Sequence, residues 1–262
     1  MTAGDRWNDL GPRIASAAAM VVVGLGAIWA GGIWFHLLAS VVAGLMLWEL
    51  AAMIQPLRKR TDWAIGLAGG LAVFAAVWLP GSSGVFALVV PAVAGMFALG
   101  ARRRLFVAYG LVILLAAWGL VTFRNGNGAV WLAWLVAVVV VTDVAGYFAG
   151  RALGGPKFWP AISPKKTWSG TIAGWIGAAL VGLFFESLLP VGHELVLVSA
   201  LLAFASQMGD IAESAIKRRM GVKDSSRLIP GHGGLMDRFD GLLGATLMAM
   251  ITVELLLPVR LF

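Results

Sequence analysis

The chain has 262 residues, 60% hydrophobic and only 13% charged, with a mean hydropathy of +0.89 and a formal net charge of +7. Soluble domains carry about 25% charged residues, so this composition excludes an ordinary water-soluble fold and points to an integral membrane protein. The absence of cysteine excludes disulfides and thiolate metal sites, and the excess of Lys and Arg is read as loop charge that orients helices and meets anionic lipid, not as a nucleic-acid surface.

Nine apolar segments follow one another at about 14–31, 33–54, 63–80, 84–100, 105–122, 129–149, 168–189, 194–216 and 241–259. Spanning strands would alternate and run about ten residues. These segments run longer without alternation, so each is expected to be a helix. The first follows Arg6 and Arg13. Its apolar run is long for a signal peptide and no A-x-A-like site follows, so it is expected to be a retained helix. The 34 glycines suit closely packed helices. Trp29, Trp34, Trp63, Trp78, Trp131 and Trp168 fall near segment ends, as an interfacial belt requires. With nine spans, 18 of the 20 Lys and Arg residues fall on one side, and only Arg124 and Arg260 fall opposite. The positive-inside rule then puts the N-terminus in the cytoplasm and the C-terminus outside. The expectation is one all-α polytopic membrane domain over 1–262, with a motif-bearing half at about 143–241.

Two polar loops interrupt the apolar pattern, 150–167 and 217–240, both on the predicted cytoplasmic side. Asp143 precedes the first, and Asp210 and Glu213 precede the second. Acids within membrane segments are costly and usually functional. Gln207, Asp210, Glu213, Ser214 and Lys217 are spaced by three or four and share one helical face. Asp237 and Asp240 are three apart at the start of the last segment. Acid pairs of this kind suit Mg2+, a hard ion bound by one or two carboxylates together with water and phosphate oxygens. Lys217, Arg218, Lys223 and Arg238 beside them suit a metal that arrives with polyphosphate. The run PGHGG (230–234) offers backbone able to turn N–H groups toward an anion. In the first loop, Lys165 and Lys166 precede Thr167 and Ser169, which could cap the next helix.

Each of these features also has a plainer reading. Lys and Arg next to membrane helices are commonly topology signals. Glu49 and Glu254 read as snorkelling or lightly buried carboxylates and are set aside. His36 and His193 read as packing or interfacial residues. His232, flanked by glycines, could act chemically or could brace its loop. On the residues alone the chain is a Mg2+-dependent enzyme acting on phosphates at the cytoplasmic face, by positioning and charge neutralisation.

The run SAIKRRMGVKDSSRLIPGHGGLMDRFD, Ser214 to Asp240, resembles the signature of the phosphatidate cytidylyltransferases (CDP-diacylglycerol synthases), which reads S-x-aliphatic-K-R, four residues, K-D, then H-G-G-x-x-D-R-x-D. Every specified position is met. ISPKKTW (162–168) and DVAGYFAGR (143–151) are similar to that family's earlier motifs, although Ser169 stands where the family commonly has Glu. The resemblance implies an all-helical, dimeric membrane enzyme that joins CTP to phosphatidic acid, giving CDP-diacylglycerol and pyrophosphate. It further implies that Asp210, Asp237 and Asp240 hold Mg2+, with a second cation left open. Lys217, Arg218 and Arg238 would neutralise the triphosphate. Ser163, Lys165, Lys166, Thr167 and Ser214 would contact phosphate, with Lys223, His232, Gly233 and Gly234 also on the substrate. The implied home is a bacterial inner membrane with the active site facing the cytoplasm, and no nucleic-acid partner. Two alternatives stay open: a CTP-dependent lipid-alcohol kinase, which would release CDP, and an ion-coupled transporter using Asp143, Asp210 and Glu213. The position of those acids near one face and the lack of an inverted repeat count against the transporter.

Overall fold

A computed structural model of the chain describes residues 10–55, 59–80, 83–100 and 102–256. Both chain ends, and with them Arg6 and Arg260, lie outside the described residues, as does Arg58. So does the side chain of Glu254. Among the described residues there are nine helices: α1 (Leu10–Ala30), α2 (Gly32–Ile54), α3 (Lys59–Ala76), α4 (Ser83–Ala98), α5 (Arg103–Asn127), α6 (Ala129–Leu153), α7 (Trp168–Glu186), α8 (Glu194–Met220) and α9 (Met236–Leu256). Each predicted segment falls on one of them. Five, namely α2, α5, α6, α7 and α8, are long and apolar enough to cross a membrane.

Two departures occur at the polar loops. The first loop is not irregular. It holds an antiparallel hairpin of β1 (Lys157–Trp159) and β2 (Ser163–Thr167), with Lys157 opposite Thr167 and Trp159 opposite Ser163. Gly154 and Gly155, at φ 63° and 99°, turn the chain out of α6 and into it. The second loop is shorter than expected, because α8 continues to Met220 and α9 starts at Met236. Polar residues extend both helices beyond their apolar runs, since helix propensity does not require apolar side chains.

The chain divides into two compact units, one of residues 1–114 and 220–238, the other of residues 115–219 and 239–262. In the first, α2 and α3 approach through glycine. A Cβ on Gly44 would lie 2.8 Å from the Gly66 carbonyl oxygen, so only glycine permits this spacing. Trp48 and Trp63 stack beside that contact with centroids 4.6 Å apart, and Leu47, Leu50, Leu88 and Phe106 are fully buried. α1 instead exposes Val21, Val22, Leu25 and Trp29, a surface suited to lipid.

In the second unit, α6 and α7 meet at Gly146 and Gly170, where a Cβ on either would run into the other's carbonyl. α8 and α9 meet at Gly209, Gly241 and Gly244, against the Asp240 backbone, Ser206 and Ala205. Trp134 is buried and donates its indole N–H to Ser199 Oγ at 2.9 Å, so its own donor is satisfied in the apolar interior. Of the tryptophans expected at an interface, Trp131 is a core residue, packed edge-on against Phe123 and Trp134; Trp29, Trp34, Trp63, Trp78 and Trp168 are exposed.

Candidate active site

In the second unit the two sequence motifs meet through one ion pair. β2 carries Lys166, whose Nζ lies 2.5 Å from Asp210 Oδ2 on α8. Ser214, one turn further along α8, donates its hydroxyl to Asp210 Oδ1 at 3.2 Å. The next pair on that helix is Glu213 and Lys217, 2.6 Å apart, with Glu213 fully buried. Asp240, just ahead of the apolar run of α9, accepts the Gly241 N–H at 2.7 Å. Burial, then the negative charge of Asp210, pushes the Asp240 carboxyl up to about 7. Asp143 on α6 adds to that crowding of like charge.

Thr167 and Ser169 hold this corner in place. Thr167 is the N-cap of α7, accepting the Gly170 N–H at 3.3 Å, and is buried. Ser169 donates to the Gly154 carbonyl and bonds Thr167 Oγ1. Together they tie the end of β2 to the turn after α6, which fixes where Lys166 can reach. Lys165 is exposed and Ser163 half-buried. Gln207 shares the helical face of Asp210, but its side chain braces α7 against α8. It accepts the Trp175 indole N–H at 3.0 Å and donates to the Thr171 carbonyl at 3.2 Å.

In the first unit the loop between α8 and α9 is ordered by carboxylates. Asp237 Oδ2 accepts the Ser225 N–H and Oγ–H, both at 2.9 Å, and the Gly234 N–H at 2.8 Å. The loop also closes on itself, with Ile229 N–H on the Gly233 carbonyl and His232 N–H on the Ile229 carbonyl. The N–H groups of His232 and Gly234, expected to face an anion, are therefore spent inside the protein. The His232 ring is a brace: Nδ1 lies 2.8 Å from Ser16 Oγ, whose own proton goes to the Pro230 carbonyl. Arg238 Nε donates to the His232 carbonyl at 2.9 Å. Arg218, Lys223 and Arg238 are exposed cations.

Glu49, set aside in the sequence, is the residue that reading missed. It is fully buried on α2 and accepts four hydrogen bonds from the signature loop. Its signal was present, an acid in the interior of an apolar run, which by default marks a functional or structural polar contact. His36 and His193 match their expected roles. His36 is buried edge-on to Trp78, and exposed His193 pairs with Glu186.

Among the described residues, no three His, Cys, Asp or Glu side chains are arranged as a ready metal site. The donor chemistry nonetheless fits Mg2+. Asp210 and Asp240 are hard carboxylates close enough to repel, and Mg2+ takes one or two carboxylates with the rest of its shell from water and substrate.

An apolar, helical chain that gathers acids, lysines and arginines at its polar loops has the make-up of a membrane enzyme handling phosphate groups. The cytidylyltransferase family model matches residues 11–256. A Brucella suis protein named phosphatidate cytidylyltransferase is 38% identical over 252 residues, 91% of each chain. A Pseudomonas aeruginosa protein of the same name is 35% identical over 260 residues, covering 89% of this chain and 93% of that one. One from Mycobacterium tuberculosis is 36% identical over 148 residues, 55% of this chain and 45% of its own. The chain belongs to the cytidylyltransferase family and is a nucleotidyltransferase.

Proposed function

We propose that the protein transfers the cytidylyl group of CTP to phosphatidic acid, forming CDP-diacylglycerol and pyrophosphate at the cytoplasmic face of a bacterial inner membrane. The observation that carries this reading is the Lys166–Asp210 pair, which brings the ISPKK motif onto the helix that opens the signature. A lipid phosphate oxygen attacks the α-phosphorus of CTP, a new P–O–P bridge forms, and the bond to the β-phosphate oxygen breaks. The nucleophile is already an anion, so no strong general base is needed, consistent with His232 as a brace.

Asp210 and Asp240 would hold Mg2+, with Asp237 as the third acid of this reading. The ion would neutralise phosphate charge as pyrophosphate departs. Asp237 also holds the loop through one oxygen, so its replacement disturbs both. Lys166, Lys165 and Ser214 take phosphate oxygens; Arg218, Arg238 and Lys223 supply the exposed positive charge; Lys217 does so with Glu213 as its counterion. In this reading the chain crosses the bilayer nine times, N-terminus inside, and works as a homodimer. The acyl chains stay in the bilayer while CTP arrives from the cytoplasm.

The test supplies detergent-purified protein with phosphatidic acid, Mg2+ and CTP labelled at the α-phosphate. Label is expected in the lipid phase, lost with EDTA and in Asp210→Asn. Release of labelled CDP with γ-phosphate transferred to a lipid would establish a kinase instead. No turnover by folded protein would refute enzymatic use of CTP.

A further inference from the structure

α2 places a carboxylate inside an apolar helix, and an unsatisfied charge there would be strongly unfavourable. Glu49 avoids this by accepting from Ser226 Oγ at 2.6 Å, Ser225 Oγ at 3.3 Å, Leu235 N at 2.9 Å and Met236 N at 2.8 Å. The donors lie at the two ends of one segment, residues 225–226 and 235–236. A single side chain on a helix therefore closes the signature loop into a ring. The donors at its far end are the N–H groups at the start of α9, which a helix otherwise leaves open to water or an anion.

Two further observations tie this ring to the signature. Ser225 Oγ also lies 2.9 Å from Asp237 Oδ2, so its one proton is shared between two carboxylates and links them. A Cβ on Gly234 would run into Ser225 Oγ and Glu49 Oε1. The second glycine of His-Gly-Gly is thus required by the Glu49 carboxylate, whatever the substrate does.

We propose that Glu49 is a positioning residue for nucleotide transfer. It acts through Ser225, Ser226 and the first turn of α9 to hold Asp237 and the loop cations in their working arrangement. The catalytic part rests on the cytidylyl-transfer reading; the loop-anchoring part does not.

The chain has no cysteine, so a single nitroxide can be placed at Leu228→Cys in the loop, with a control at Leu180→Cys on α7; both positions are exposed. Glu49→Gln, Glu49→Ala and Ser226→Ala are compared in each background of the full-length protein. Glu49→Gln keeps the shape but turns an amide NH2 toward backbone donors. Label mobility is expected to rise at 228 and not at 180. A displaced loop costs on the order of 100-fold in kcat/KM for CTP, while the KM for phosphatidic acid stays within about twofold. Ser226→Ala, which removes one donor, falls between. Parent-like mobility at 228 in Glu49→Gln would overturn the anchor. Raised mobility with unchanged CTP kinetics would overturn the positioning role. Equal rises at 228 and 180, with both substrates affected alike, would make Glu49 a general stability residue and refute the proposal. Should the parent protein fail to transfer cytidylyl groups, the cytidylyl-transfer reading falls and the label data still decide the anchor. Should Glu49→Ala not fold, Glu49→Gln and Ser226→Ala carry the test.

Discussion

Gly209→Ala should cripple the enzyme without unfolding it. Gly209 lies on α8 immediately before Asp210, and a Cβ there would overlap the backbone carbonyl of Asp240, with Gly244 N at 3.2 Å behind it. The obstacle is backbone, so no side chain can swing aside. Alanine gains about 1 kcal/mol of helix propensity over glycine. Overpacking of this kind costs about 1–3 kcal/mol, so the clash wins, and it is relieved by moving α9 away on the order of 1 Å. That shift separates Asp240 from Asp210, and a misplacement of about 1 Å costs on the order of 100-fold in rate. The assay is cytidylyl transfer at saturating CTP and phosphatidic acid, with thermal unfolding in the same detergent. Gly24→Ala on α1, where a Cβ meets nothing within 4 Å, is the control: turnover should stay unchanged and the melting temperature should not fall. Turnover within about twofold of the parent in a folded Gly209→Ala protein would refute the dependence of turnover on the Asp210–Asp240 spacing.

Two more outcomes follow from the site. Asp240, with its carboxyl pushed up to about 7 from 3.8, keeps a proton in the folded protein where the unfolded chain has lost it. That contribution to stability is fully present below the unfolded value and is lost as pH rises through about 7. In EDTA the melting temperature should therefore fall between about pH 4 and 7 and level off above that, and Asp240→Asn should flatten the slope; an unchanged slope would assign it to another group. The second concerns the membrane face: Leu228→Cys, at a position 41% exposed, should react with an impermeant thiol reagent in inside-out vesicles and not in right-side-out ones. The opposite pattern would reverse the proposed orientation.

The helices were legible because a bilayer leaves the backbone few alternatives, so apolar run length translates directly into elements. Their polar ends were misjudged, at α5, α6, α8 and α9 among others, where hydropathy stops and helix does not. The hairpin at 157–167 was not legible. Two strands of three and five residues leave too short a pattern to read, and their pairing depends on the turn at Gly154–Gly155 and the Thr167 and Ser169 bonds.

By itself the sequence determined the chemical class. Helical spacing put Asp210, Ser214 and Lys217 on one face, and the Ser214–Asp240 signature identified the family, because those features are local and survive in one dimension. Only the tertiary structure decided how each polar group is spent. It committed Gln207 to packing, Lys217 to Glu213, His232 to Ser16, and the Gly234 N–H to Asp237. It also joined Glu49 to residues more than 170 positions away. A buried donor or acceptor must find a partner wherever the fold brings one, and no spacing along the chain says which partner that will be.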